Sequence, residues 1–177
     1  MAKNQKPPVP SLDDLTSMSQ SVVGEDGSVV IKQMKPLTFA LYKWIKSMGW
    51  EDSMDIADDE NSAQFSFTIT SSDGDKEFKC FFNTDEESSV VTLCIYYFDD
   101  EVDGEKVGAA MHSVLEKNLS CVTGQFQIID EFKTLRYFAA INFANTAPNY
   151  RLLNSLFNDG NYQMESFIDG FIEVAMQ

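Results

Sequence analysis

The feature that most constrains the fold is a block of alternating apolar residues that begins at Gln64 and runs through three consecutive segments. Residues Gln64–Thr70 alternate aromatic or aliphatic side chains with hydroxyl groups, and a period of two residues is typical of a strand with one buried face. The run Ser72–Asp75 favours a tight turn, and the alternation then resumes. The apolar residues on one face of this pair of segments are Phe65, Phe67, Ile69, Phe78, Cys80 and Phe82. We therefore predict an antiparallel hairpin at the centre of the fold.

The third segment, Val90–Phe98, is apolar on both of its faces. A strand of this kind is covered on both sides in a folded protein. Helices can cover one side, and the other side then needs a second subunit, a peptide or another segment of this chain. The residues assigned on this basis to a partner-binding or dimer surface are Val91, Leu93, Ile95 and Tyr97. Burial of the same residues within the monomer is the alternative.

Helical spacing of apolar residues and further strand patterns flank this block. The predicted helices cover residues 36–48, 103–118 and 161–175, with a short additional helix that starts at Pro148. The remaining predicted strands cover residues 124–130 and 134–143, and residues 22–31 are typical of a turn or short hairpin. Tight turns between strands favour antiparallel pairing. We therefore predict the α+β class, an antiparallel sheet with helices packed on one face in the order α-β-β-β-α-β-β-α.

We expect a single domain over residues 21–177, preceded by a flexible tail over residues 1–20. The tail carries no apolar region of the kind found in secretory signals, and no run of about 18 apolar residues occurs in the chain. The three cysteines are odd in number and lie in apolar-patterned stretches, which favours reduced thiols. These observations together predict a cytoplasmic protein that does not enter a membrane.

Charge excludes some partners and favours others. The 28 acidic residues against 13 basic ones give a net charge of −15, which repels nucleic acid and anionic lipid and can attract basic surfaces. The two arginines, Arg136 and Arg151, are far apart, and the lysines do not cluster. Acidic residues four apart on the last predicted helix are Glu165, Asp169 and Glu173. They are assigned to an acidic docking face for a basic or amphipathic polypeptide, with a solvated outer face as the alternative.

The motifs of catalysis and metal binding are incomplete in this sequence. The run Asp99–Gly104 is similar to the first half of a calcium loop, but Ala110 occupies the position where that loop needs a bidentate Glu. His112 is the single histidine and has no adjacent nucleophile in the sequence. Neither a Walker pattern nor Gly-x-Gly-x-x-Gly occurs. We therefore predict no enzymatic activity, no cofactor and no metal. The alternatives are a small acidic ligand-binding enzyme or hydrolase, and an acidic decoy or inhibitor of a basic protein.

The stretch from Asn118 to Phe143 carries a family resemblance. Asn118 ends a predicted helix, Gly124 and Phe126 open the next strand, and Leu135–Tyr137 lies in the strand after that. This pattern resembles the YbjN domain family, whose fold is similar to that of type III secretion chaperones. The resemblance implies a non-enzymatic bacterial protein, with homodimers as one expected form, which binds another polypeptide or acts as a sensory transduction regulator.

Overall fold

The computed structural model describes residues 19–23, 29–33, 35–50, 55–58, 62–129 and 133–176. Its helices are α1 (Pro36–Ser47), α2 (Val107–Ser120) and α3 (Tyr150–Ala175). Its strands are β1 (Ser19–Val23), β2 (Val29–Gln33), β3 (Asp55–Asp58), β4 (Ser62–Thr70), β5 (Glu77–Asp85), β6 (Val90–Tyr97), β7 (Gln125–Ile129) and β8 (Thr134–Asn142). The predicted tail over residues 1–20 lies outside the described residues except for Ser19 and Gln20, which begin β1.

Strands β3 to β8 form one antiparallel sheet in the order β3-β4-β5-β6-β8-β7, and β1 pairs with β2 in a separate hairpin. The predicted α+β class and the order α-β-β-β-α-β-β-α are confirmed from α1 to α3. The edge strand β3 was not predicted, because four residues are too few to show alternation. It pairs antiparallel with β4 through residues such as Ile56, which lies opposite Phe65.

One face of the sheet, called here the inner face, forms the hydrophobic core. The register aligns its side chains in rows across the strands, for example Phe67 with Cys80, Cys80 with Ile95, and Ile95 with Tyr137. Trp44 of α1 is fully buried in the same core, as are Met164 and Phe171 of α3. The inner face is apolar and the helices are amphipathic, so packing one on the other removes both apolar surfaces from water.

The structure corrects the partner surface predicted on β6. Val91, Leu93, Ile95 and Tyr97 all lie on the inner face and are at most 4% exposed. A Cβ placed on Gly160 of α3 would lie 2.9 Å from a methyl carbon of Leu93 and 3.1 Å from one of Ile95. Helix α3 therefore covers Leu93 and Ile95, and all four side chains belong to the core of the monomer rather than to a surface that a second chain can reach.

The C-terminal region is one continuous helix of 26 residues, where the sequence predicted two. The second predicted helix began at residue 161, next to Gly160, and glycine is a poor helix former. Gly160 is instead the buried point where α3 approaches β6 and β8, with Leu93, Ile95 and Tyr137 as its nearest neighbours. The missing side chain allows this close approach.

This packing predicts opposite effects for two glycines of the same helix. We expect Gly160→Ala to destabilise the protein by about 1–2 kcal/mol, because the new methyl group overfills the contact with β6. Gly170→Ala is the matched control, since a Cβ there meets nothing within 4 Å. It should stabilise the protein by up to about 1 kcal/mol through helix propensity. Chemical denaturation of both variants measures the difference, and an equal gain in stability from both would contradict the packing described for Gly160.

The residues that carry the family resemblance form a structural clasp. The side-chain amide of Asn118 donates to the carbonyl of Phe126 at 2.9 Å, and its oxygen accepts from the Phe126 N–H at 2.6 Å. Gly124 has φ of +68°, and the Tyr137 hydroxyl donates to the carbonyl of Thr123. This motif therefore fixes the end of α2 to the start of β7, which is a structural role.

Candidate functional site

A row of exposed apolar side chains runs along α2. Met111, Leu115 and Leu119 are 56%, 63% and 90% exposed, and Val107 at the start of the helix is 38% exposed. Residues four apart form a continuous ridge on a helix. These four residues are called here the α2 ridge. Helix α2 buries only Ala110 and Val114 against the rest of the protein, whereas Met111, Leu115 and Leu119 are mostly exposed.

Side chains of both charge signs lie beside the α2 ridge. His112 and Glu116 form an exposed pair with 3.3 Å between Nε2 and Oε1, and Lys117 donates to the Ser166 hydroxyl at 3.1 Å. Gly108 lies on the same side of the helix as Met111 and Leu115, and a Cβ there would meet nothing within 4 Å. The high net charge of the chain is therefore not concentrated at this surface. Gly108 leaves room for the backbone of a partner to come close.

Two of the three acids predicted as a docking face bind the turn between β4 and β5. Glu165 accepts a hydrogen bond from the Ser72 N–H at 2.9 Å, and Asp169 lies 2.7 Å from the Lys76 ammonium group. The hydrogen bond to Asp169 raises the pKa of Lys76. Glu173 is exposed at the end of α3. Sequence reasoning missed these contacts because Ser72 and Glu165 are 93 residues apart in the chain.

In the described part of the chain, neither His112 nor the buried thiols have the environment of a catalytic group. His112 is exposed on α2 beside Glu116. Burial raises the pKa of the Cys80 and Cys94 thiols, which opposes formation of the reactive thiolate. Within the described residues, no group of three or more His, Cys, Asp or Glu side chains could hold a metal ion.

A cleft of about 680 Å³ lies beside the start of α1, and Glu86 and Glu87 are among its lining residues. The Glu86 carboxylate accepts hydrogen bonds from the backbone of Leu37 at 3.2 Å and from both the backbone and the hydroxyl of Thr38, at 2.8 and 2.9 Å. It therefore satisfies the free N–H groups at the beginning of the helix. This role is structural, and it commits one of the two carboxylates that line the cleft to the start of the helix.

The face of the sheet opposite the inner face, called here the outer sheet face, carries a second group of large side chains. The Tyr96 and Phe98 rings stack with centroids 5.2 Å apart, and Phe81 meets Tyr96 edge to face at 5.4 Å. The guanidinium carbon of Arg136 lies 5.8 Å from the Tyr96 ring centre and 5.7 Å from that of Phe138. The sequence contained the signal for this cluster, because the residues alternate with the core positions of the same strands.

Comparison with known proteins supports the architecture. No protein-family profile matches the chain, and no curated protein sequence matches it. The crystal structure of YbjN from E. coli, provisionally described as a transcription regulator, aligns with this chain at a TM-score of 0.54 and 12% sequence identity. The alignment covers 78% of this chain and 94% of YbjN. This chain shares the fold of YbjN. At this identity the likeness extends to the fold alone, so the resemblance seen in the sequence is confirmed at that level.

The described helices also bear on the question of a membrane. None of α1, α2 and α3 is both long enough and apolar enough to cross a bilayer.

Proposed function

We propose that this chain is a non-enzymatic protein-binding module of a regulatory kind, and that the α2 ridge is the surface through which it pairs with a second copy of itself. The observation that carries the proposal is the exposure of Met111, Leu115 and Leu119 in a single row. Exposed apolar surface of this kind marks protein interaction sites in soluble proteins. The YbjN-like fold supports a regulatory module, since YbjN itself is provisionally described as a transcription regulator.

A second copy fits the ridge for geometric reasons. In a two-fold pair the same patch faces itself, so Met111 of one copy can contact Leu115 of the other and the reverse contact forms at the same time. Ridges of residues four apart interlock when the two helices cross at about −50°. Gly108 carries no side chain to oppose that approach. The mixture of Glu116 and Lys117 beside the ridge limits local repulsion between two chains that each carry a net charge of −15.

The two alternatives from the sequence have weaker support. An acidic hydrolase needs two carboxylates that converge on a pocket, whereas Glu86 is occupied at the start of α1. An acidic decoy needs a free anionic face, whereas Glu165 and Asp169 bind the turn at Ser72 and Lys76. A basic or amphipathic polypeptide remains a proposed further partner, and Glu173 is the exposed member of the acidic set.

Leu115→Glu tests the pairing of α2. Light scattering after gel filtration should give the wild-type protein a mass of twice 19.9 kDa, and the variant a mass of 19.9 kDa. An unpaired carboxylate in the middle of an apolar interface should weaken pairing by roughly a hundredfold or more. Raising the salt concentration should tighten wild-type pairing, because it screens the repulsion between the two acidic chains.

Tyr162→Glu is the matched control for this experiment. Tyr162 is also a large exposed side chain on a helix, at 67% exposure, but it lies on α3 outside the ridge. We expect this variant to retain the wild-type mass. A monomeric wild-type protein, or a Leu115→Glu variant with the mass of a dimer, would contradict the proposal.

A further inference from the structure

The outer sheet face differs in charge from the rest of the chain. On β4 to β8 its charged residues are Lys79 and Arg136, with Glu77 and Asp85 at the two ends of β5. The chain as a whole has 28 acidic residues. The contacts of the described residues give neither Lys79 nor Arg136 a carboxylate partner. Two cations that lack a carboxylate partner among the described residues therefore lie on one face of a strongly acidic protein.

The two cations flank an aromatic ring. Lys79 is the register partner of Tyr96 on β6, and Tyr96 is the register partner of Arg136 on β8. Neighbouring strands are separated by 4.7–4.9 Å, so the backbones at Lys79 and Arg136 lie roughly 10 Å apart. The adjacent row carries Phe81 and Phe138 on either side of Cys94.

Arg136 is held in a fixed orientation. Its Nε and Nη2 donate to the side-chain oxygen of Gln127, and its Nη1 donates to the Tyr96 hydroxyl at 3.2 Å. A guanidinium group has five N–H donors, so two remain for a ligand. Because the rings of Tyr96 and Phe138 pack beside the group, little side-chain entropy is lost when those two donors bind.

From this geometry we infer that the outer sheet face binds a short extended polypeptide segment that carries one or two carboxylates next to an aromatic side chain. Arg136 and Lys79 bind the carboxylates, and the ligand's ring packs on Tyr96, Phe98 and Phe81. Nucleic acid is less suited to this face, because it adds a negative charge with every nucleotide and the surrounding acidic surface repels each one. A peptide with two acids needs only the two cations that are present.

The test uses the full chain and the probe peptide acetyl-Glu-Ala-Phe-Ala-Glu-amide, with binding followed by amide chemical shifts in an NMR titration. We expect Arg136→Met to weaken binding about tenfold, because it removes two charge-assisted hydrogen bonds. Lys79→Met should weaken binding about threefold, since the single ammonium group of Lys79 lacks the paired donors of a guanidinium group. Shifts should concentrate on β5, β6 and β8.

Lys43→Met is the matched control, since Lys43 also lies over an aromatic ring, 5.7 Å from the centre of Phe39, but on α1. It should leave the affinity unchanged. A peptide with Gln in place of both Glu residues should bind at least about tenfold more weakly. The amide spectrum of each variant shows whether it is folded. If Arg136→Met does not fold, Lys79→Met still tests the inference.

Several outcomes would overturn this inference. They are the absence of binding at millimolar peptide, equal affinity for the Glu and Gln peptides, and an affinity that both Arg136→Met and Lys79→Met leave unchanged. Tighter binding of a five-nucleotide oligothymidylate, lost in Arg136→Met, would assign the face to nucleic acid instead. The inference does not depend on the pairing of α2. The Leu115→Glu variant should bind the peptide as the wild-type protein does, so a failure of one proposal can be told from a failure of the other.

Discussion

Replacing Gly124 with alanine is expected to destabilise the protein by about 2–5 kcal/mol. Gly124 has φ of +68°, a region in which a residue with a side chain is strained by about 1–2 kcal/mol. A Cβ at this position would also lie 2.5 Å from the Cζ atom of Tyr137 and 2.6 Å from the backbone oxygen of Phe138. Neither neighbour can move freely, since Tyr137 is buried and Phe138 pairs with Gln125 of β7. The free energy of unfolding from urea denaturation measures the effect.

Gly74→Ala separates the two contributions at Gly124. Gly74 also has positive φ, at +83°, but a Cβ there would meet nothing within 4 Å. The control should therefore lose only the backbone contribution of about 1–2 kcal/mol. Equal losses in the two variants would mean that the contact with Tyr137 costs nothing, and would contradict the tight clasp between α2 and β7.

Replacing Trp44 with alanine is expected to cost about 3–5 kcal/mol. Trp44 is fully buried, and its ring lies 5.2 Å from Phe82 and 6.0 Å from Phe157, measured between ring centroids. Its indole N–H donates to the side-chain oxygen of Asn154 on α3. The variant leaves a large cavity between α1, the inner face and α3, and it also leaves the Asn154 oxygen without this donor. Thermal and chemical denaturation should both show the loss.

Tyr162→Ala serves as the control for the size of the deleted side chain. Tyr162 is aromatic like Trp44 but is 67% exposed on α3. Its removal should change the free energy of unfolding by no more than about 0.5 kcal/mol. A loss below about 2 kcal/mol for Trp44→Ala would contradict the placement of Trp44 at the centre of the core.

The exposed surfaces show how much of the candidate sites could be predicted from the sequence. The spacing of Met111 and Leu115 is typical of a helix face that meets the core, because apolar residues on a helix are usually buried. On β6 the sequence showed two apolar faces without showing which one the helices would cover. The partner surface was therefore predicted on the face that contains Leu93, which is the buried inner face. Tyr96 lies on the opposite face, the outer sheet face.

The sequence by itself determined the class, the element order and the positions of most turns. These follow from local periodicity, as in the alternation from Gln64 to Thr70, and each is set by neighbours within a few residues. Only the tertiary structure decided that α3 continues through Gly160, that Glu165 reaches Ser72 and that the α2 ridge stays uncovered. Those outcomes depend on contacts between residues far apart in the chain, and a helix or strand pattern gives the direction of a side chain without giving what it meets.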